Sequence, residues 1–201
     1  MCNGHYKRSA TMVDFENDIK NCVQVLQNGG TILYPTDTVW GLGCDAMNTA
    51  AVEKIFAIKH RPKQKSMIVL LADARDILQY IAAPHPDIIA IIENFERPTT
   101  VIYENALSFP DNVVNKDGSL AIRVTTDPFC KALIKRFRGP IISTSANISG
   151  AATPATFRMI DEAIANNVDY VVKYRQEDDT IVAPSRLVRI NEDGSLEVLR
   201  E

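Results

Sequence analysis

Long apolar runs are missing from this chain. No segment approaches ~20 uninterrupted apolar residues and no apolar stretch opens the N-terminus, so neither a membrane span nor a secretory signal is expected. Cysteine is sparse, and Cys2, Cys22, Cys44 and Cys130 are scattered without a CxxC pair. Reduced thiols in a cytoplasmic protein fit that pattern, while a thiolate metal site does not. His5, His60 and His85 show no ligand spacing either, so no protein-held metal is expected. Excess positive charge is also absent: 22 Lys and Arg stand against 25 Asp and Glu, for a net charge of −3 and a pI near 5.7. The whole-molecule field therefore does not favour nucleic acid or an acidic membrane, and any basic site has to be local. Serine-hydrolase elbows, paired-histidine zinc motifs, kinase signatures, Walker A loops and dinucleotide fingerprints are all lacking.

What is present suits one core. At 201 residues and 46% hydrophobic composition, residues 1–201 are expected to form a single domain, with 1–12 as an irregular or edge segment. From Asp14, the residues Phe15, Ile19, Cys22, Val23 and Leu26 trace the stripe of an amphipathic helix. Asn28-Gly29-Gly30 stops it. Thr31–Tyr34 reads as a strand, "YPTDTVWGLGCD" as its extended and interrupted continuation, and Asn48–Lys59 as a second helix. Helices are expected over Asp73–Ile81, Pro86–Phe95, Asp127–Phe137 and Pro154–Asn166. Strands are expected over Thr99–Glu104, Leu120–Thr125, "IISTS", "DYVVKY", "SRLVRI" and "LEVLRE". This alternation indicates an α/β fold, a twisted mixed sheet flanked by helices, with the last two strands as an antiparallel hairpin.

Three clusters carry chemistry. The stretch "FAIKHRPKQKSMIVLL" packs Lys59, His60, Arg61, Lys63 and Lys65 between two apolar segments. Val52, Ile55, Phe56 and Lys59 fall at i, i+3, i+4 and i+7, so helical phase turns Lys59 inward. Pro62 disfavours helix at Arg61. Complementing the helix dipole is one role for these cations, an anion site is another, and Lys63 is expected to be solvated. In "PIISTSANISG" an apolar strand ends in Ser143, Thr144, Ser145 and Asn147, where open α/β sheets bind ligands and where short polar side chains also cap turns. In "YPTDTVWGLGCD", Tyr34, Thr36, Thr38 and Trp40 share one face of an extended segment with Asp37 on the other, and Gly41 and Gly43 permit close backbone approach.

Together these clusters resemble the threonylcarbamoyl-adenylate synthases, or YrdC family: "GGTILYPTDTVWGLGCDA" its N-terminal signature, "KHRP" its KxR motif and "STSAN" its SxN motif, in matching order from roughly Asn28 to Arg200. The resemblance implies a fold built around a basic cavity. It also implies an enzyme that makes L-threonylcarbamoyl-AMP and pyrophosphate from L-threonine, bicarbonate or CO2, and ATP with Mg²⁺. The product feeds N6-threonylcarbamoyladenosine formation at tRNA position 37, so the downstream tRNA threonylcarbamoyl-transferase machinery is the implied partner. Carried over by position, threonine-binding roles fall on Thr38, Arg123, Ser143 and Ser185. ATP-binding roles fall on Lys59, Arg61, Lys65, Ser119, Ser145, Asn147, Thr153 and Arg200, with Lys59 and Arg61 catalytic. Loss of either catalytic cation is expected to abolish adenylate formation with little loss of stability.

The chain departs from the family pattern at Leu70, where many relatives have histidine, at Phe95-Glu96-Arg97-Pro98 in place of Trp-Pro-Gly-Pro, and at Arg186 after Ser185. It ends directly after the synthase region, like the family's short form. Two alternatives stay open: an RNA-binding, ribosome-maturation protein, and a paralogue that makes a different carbamoyl-adenylate.

Overall fold

The computed structural model describes residues 15–60 and 67–201. Arg61 and Lys65, with Lys63, lie outside the described residues, as do Cys2, His5 and the N-terminal segment.

Helix α1 (Glu16–Gln27) forms where the apolar stripe predicts it, with Ile19, Cys22 and Leu26 buried on one face. It ends at Asn28, and Gly29 takes a left-handed φ of 70°, the conformation glycine adopts without a Cβ penalty. Strand β1 (Thr31–Tyr34) turns through Pro35–Trp40 into β2 (Gly41–Cys44), its antiparallel neighbour. The turn is folded back and not extended: the Thr36 and Thr38 hydroxyls are 3.0 Å apart, and Thr36 Oγ1 donates to the Val39 carbonyl at 2.8 Å. These side-chain bonds satisfy backbone groups that an extended strand would have paired.

Helix α2 (Thr49–Ile58) is capped by Asn48, whose side chain accepts from the Ala51 amide at 3.1 Å. It ends before any proline acts, with Lys59 as its C-cap and His60 left-handed at φ 49°. After β3 (Ile68–Leu71) come a 3₁₀ turn and the short helices α3 (Ile77–Tyr80) and α4 (Ile88–Glu93). The isoleucine-rich face of α4 buries only Ile88 completely. Strands β4 (Thr99–Tyr103) and β5 (Leu120–Val124), helix α5 (Pro128–Phe137) and strand β6 (Ile141–Ser145) follow the expected order.

The chain then departs from expectation. Pro154–Asn166 is not one helix: it holds a 3₁₀ turn at Phe157–Met159 and one turn of α6 (Glu162–Ala165), capped by Asp161. Ile160, between them, is extended at ψ 130°. Its apolar spacing mimics a helix, but the Asp161 cap starts a new one. Strand β7 shrinks to Tyr170–Val171, and β8 (Arg186–Ile190) and β9 (Leu196–Arg200) pair antiparallel.

Among the described residues the strands form one sheet in the order β7-β1-β2-β6-β3-β5-β4-β8-β9. It is mixed, with β1/β7, β3/β5 and β4/β8 parallel and the other neighbours antiparallel. Helix α1 packs on α5, and α2 lies against β2. No helix among the described residues is long and apolar enough to cross a membrane.

Two features of this packing are tight. The Tyr34 ring lies under β2, where a Cβ on Gly43 would stand 2.7 Å from Tyr34 Cε1 and 2.6 Å from the Ile142 carbonyl oxygen. Gly43→Ala is therefore expected to lower the unfolding free energy by about 1–3 kcal/mol, readable from urea unfolding. The second is the thiols: Cys22, Cys44 and Cys130 are all buried, and burial pushes each well above the usual thiol range. The reactive thiolate is thus suppressed. An alkylating reagent at pH 8 should leave these three unmodified in the native protein and modify all of them in denaturant, as mass spectrometry of peptides would show.

Candidate active site

The central strands open on one face into a cleft of about 350 Å³. From the β1–β2 loop and β2 it takes Thr38, Trp40 and Gly41, from β5 Arg123, from β6 Ser143, Thr144 and Ser145, and from β8 and β9 Ser185, Leu187 and Arg200. Thr153 completes the polar wall, and Met67, Ile68, Ile102 and Ala121 form the apolar part. Seven of the residues singled out from sequence thus converge: Thr38, Arg123, Ser143, Ser145, Thr153, Ser185 and Arg200.

Arg123 is the charged group deepest in that wall, at 3% exposure. It sits in β5 opposite Leu70 of parallel strand β3, so apolar strand surrounds it. Its Nη2 lies 3.2 Å from Asp37 Oδ1, and its Nε has no hydrogen-bond partner among the described residues. A buried guanidinium with an unused donor is costly unless an acceptor can reach it. Arg123 borders the cleft, where a ligand's oxygen atoms can meet the guanidinium.

The hydroxyls around it are held in place. Ser185 Oγ and Thr100 Oγ1 are 2.8 Å apart in the sheet interior. Thr38 is set by Thr36, whose Oγ1 also accepts from the Thr38 amide at 3.0 Å. Ser143 has room because Gly41 faces it: a Cβ there would stand 3.2 Å from Ser143 Oγ. Arg200 is not frayed, since its Nη2 donates to the Ser185 carbonyl at 2.9 Å across the β8–β9 pair.

Lys59 behaves as helical phase predicts, being 1% exposed. Its ammonium does not line the cleft directly. It donates to the backbone carbonyls of Ser145 and Asn147, the latter at 2.6 Å, and the Ser149 amide in turn donates to the Lys59 carbonyl at 2.8 Å. One side chain thus clamps the turn after β6. Within that turn Ser145 Oγ donates to Asn147 Oδ1 at 2.5 Å, and Asn147 Nδ2 donates to the Ala151 carbonyl at 2.7 Å. The expectation that losing Lys59 leaves stability nearly intact does not survive this geometry, because two part-buried carbonyls would lose a charged donor.

Two residues stand apart. Ser119 is tied into the turn before β5, donating to Asp117 Oδ1 at 2.7 Å and accepting from Asn115 Nδ2 at 2.9 Å, and neither it nor Asn147 is on the cleft wall. Sequence reading missed the apolar wall, since β3 is apolar on both faces and nothing in "MIVLL" says that Met67 and Ile68 border a cleft. Trp40 was placed on the Thr38 face and does line the cleft, its ring 4.7 Å from that of Phe157.

Among the described residues, the charged side chains on the wall are Arg123 and Arg200, both cations, and no group of three His, Cys, Asp or Glu could hold a metal ion. The donor set does not fit a magnesium ion held by the protein. It fits oxyanions: a fork at Arg123, a second cation at Arg200 and a rim of hydroxyls.

Comparison with known proteins shows the family. A family profile described as "Sua5_yciO_yrdC: Telomere recombination" matches residues 24–201. A threonylcarbamoyl-AMP synthase of Xanthomonas oryzae pv. oryzae is 33% identical over 189 residues, covering 91% of this chain and 97% of that one. The threonylcarbamoyl-AMP synthase of Coxiella burnetii is 31% identical over 163 residues, covering 81% of this chain and 88% of its own. Among solved structures, P. abyssi Sua5 complexed with L-threonine shares the fold at a TM-score of 0.78 and 22% identity, over 90% of this chain and 53% of that one. The matched region contains every element that builds the cleft, from the Thr38 loop through β5 and β6 to Arg200, and the chain belongs to the Sua5/YciO/YrdC family.

Proposed function

We propose that this protein is an L-threonylcarbamoyladenylate synthase, forming threonylcarbamoyl-AMP and pyrophosphate from L-threonine, bicarbonate or CO2, and ATP. The observation that carries this reading is the buried Arg123 fork in a hydroxyl-rimmed cleft that also holds Arg200. A small zwitterion and a polyanion can share such a cleft, the carboxylate of one on Arg123 and the phosphates of the other toward the Ser145 turn. Relatives that bear the synthase name support it.

In this reading Arg123 takes the threonine carboxylate, with Thr38, Ser143 and Ser185 as hydroxyl partners. The free amine captures CO2 as a carbamate and loses a proton. A carbamate oxygen then attacks the α-phosphorus, the bond to the β-phosphate oxygen breaks, and pyrophosphate leaves. Negative charge grows on the phosphoryl and leaving oxygens, and cations and donors fixed beforehand stabilise it without reorganising. Those roles fall to Lys59 and Arg61, with Lys65, Ser119, Ser145, Asn147, Thr153 and Arg200 on the nucleotide. Magnesium enters as the ATP complex, carried by the phosphates. The product serves tRNA N6-threonylcarbamoyladenosine synthesis in the cytoplasm, so its consumer is the tRNA threonylcarbamoyl-transferase machinery. Residues 1–201 act as one domain in this scheme. Glu177, Asp178 and Asp179, on the segment that leads from β7 to the cleft residue Ser185, disfavour a primary RNA-binding role.

Pyrophosphate release should require threonine, bicarbonate and ATP together. In a screen of amino acids, release with another amino acid and none above background with threonine would overturn the substrate assignment. Lys59→Ala is expected to abolish release and, unlike a surface lysine, to lower stability by at least the ~1.5–3 kcal/mol of one hydrogen bond to a charged donor. Thermal unfolding beside the pyrophosphate assay tests both, and wild-type turnover in the mutant would defeat the assignment of Lys59.

A further inference from the structure

Asp37 sits between Thr36 and Thr38, and its side chain runs the other way from theirs. Thr38 lines the main cleft, whereas Asp37 borders a second cavity on its far side, with Thr125, Thr126 and Lys131. Only 8% of the Asp37 side chain is exposed. Oδ1 is the atom 3.2 Å from Arg123 Nη2, a charge contact whose angle falls short of a hydrogen bond. Oδ2 accepts from Thr125 Oγ1 at 3.2 Å and from the Thr126 amide at 3.4 Å. Thr125 Oγ1 also accepts from the Asp127 amide at 3.2 Å, and Asp127 Oδ2 accepts from Arg175 Nη2 at 2.6 Å. Arg175 Nη1 closes the circuit on the Thr36 carbonyl at 3.5 Å, back in the loop that presents Thr38.

From this geometry we propose that Asp37 is a positioning residue for the substrate's amino-acid carboxylate. It acts through Arg123, fixing the guanidinium plane from behind so that the fork's remaining edge meets the carboxylate in the cleft. The inference rests on the reading of Arg123 as the carboxylate partner. A planar fork binds a carboxylate through two parallel bonds only when its plane is set, and the Nε of Arg123 has no hydrogen-bond partner among the described residues. Thr125 and Thr126 fix Asp37 in turn, so the orientation is inherited from the end of β5.

Orientation and charge predict opposite signs. Asp37 neutralises Arg123, so if only net charge mattered, removing the aspartate charge would strengthen the pull on a substrate carboxylate. If orientation dominates, threonine binding weakens. In Asp37→Asn, of nearly the same shape, the KM for threonine is expected to rise about tenfold while that for ATP stays within about twofold. In an Arg123→Gln background the same change should alter threonine affinity by less than about twofold, since Asp37 has nothing left to orient. There affinity is read from the threonine-dependent rise in unfolding temperature with a non-hydrolysable ATP analogue bound, which needs no turnover.

Tighter or unchanged threonine binding in Asp37→Asn would overturn the proposal, as would equal shifts in both KM values or a tenfold loss that persists beside Arg123→Gln. Thr125→Val removes one bond that aligns Asp37 and keeps the ion pair. It should raise the threonine KM a few-fold in the same direction, and it decides the matter if Asp37→Asn does not fold: a folded Thr125→Val protein with wild-type threonine KM would sink the idea. An unchanged threonine KM in Arg123→Gln alone would instead overturn the reading of Arg123, and the inference with it.

Discussion

A guanidinium in the middle of an apolar sheet constrains everything around it. Arg123 lies in β5 between β3 and β4, and the strand residues beside it, Ile122 and Leu70, are buried. Transferring an ion from water into such a layer costs several kcal/mol even after relaxation. Among the described residues, the carboxylate that meets it comes from Asp37, in the loop that also presents Thr38. That loop folds back instead of running straight on as strand, and in it Asp37 reaches Arg123 while Thr38 and Trp40 line the cleft. Its internal Thr36 bonds hold that shape, and Gly41 approaches Ser143 closely.

Lys59 is a second buried cation, with a different environment. Two of its partners are backbone carbonyls, neutral dipoles that do not cancel its charge. Hydrogen bonds from a charged donor are stronger than neutral ones, and these two converge on the turn that follows β6, so the turn's shape depends on a residue at the far end of α2. The pairing also explains why a short polar run can serve as a site. Ser145 and Asn147 would be mobile on an ordinary strand-to-helix connection, but here the ammonium fixes the backbone, and the Ser145 to Asn147 bond fixes the side chains. One cation meets a carboxylate from the loop that presents Thr38, and the other meets the carbonyls of the turn after β6.

Much of this was legible in the sequence, for identifiable reasons. The phase of Val52, Ile55 and Phe56 put Lys59 inside, because helical periodicity is a short-range property that survives tertiary packing. Gly29 ended α1 at a positive φ for a purely local steric reason. Local patterns failed where tertiary contacts decide. The apolar residues between Pro154 and Asn166 suggest one helix, but Phe157 packs against Trp40 and Asp161 starts a separate turn. The Asp37 to Arg123 pair joins positions far apart in the chain, and no periodicity reports on it. Burial on both faces of β3 hid which residues border the cleft, since alternation is lost when both faces are apolar.

Net acidity and an anion-binding cleft are compatible once the charges are placed. Arg123 is buried in the cleft wall, Lys59 is buried beside the Ser145 turn, and Arg200, though exposed, also lines the cleft, whereas Glu177 and Asp179 are exposed and pair with Arg158 on the outside. At physiological ionic strength exposed charges are screened beyond about 8 Å, but charges within a low-dielectric wall are screened far less. The cleft therefore gathers cations while the exterior presents a mixed surface. A compact ligand that enters the cleft feels the inner cations. An extended polyanion lying across the surface meets the outer carboxylates first, and that difference favours a small phosphorylated substrate over a nucleic acid as the occupant of the site.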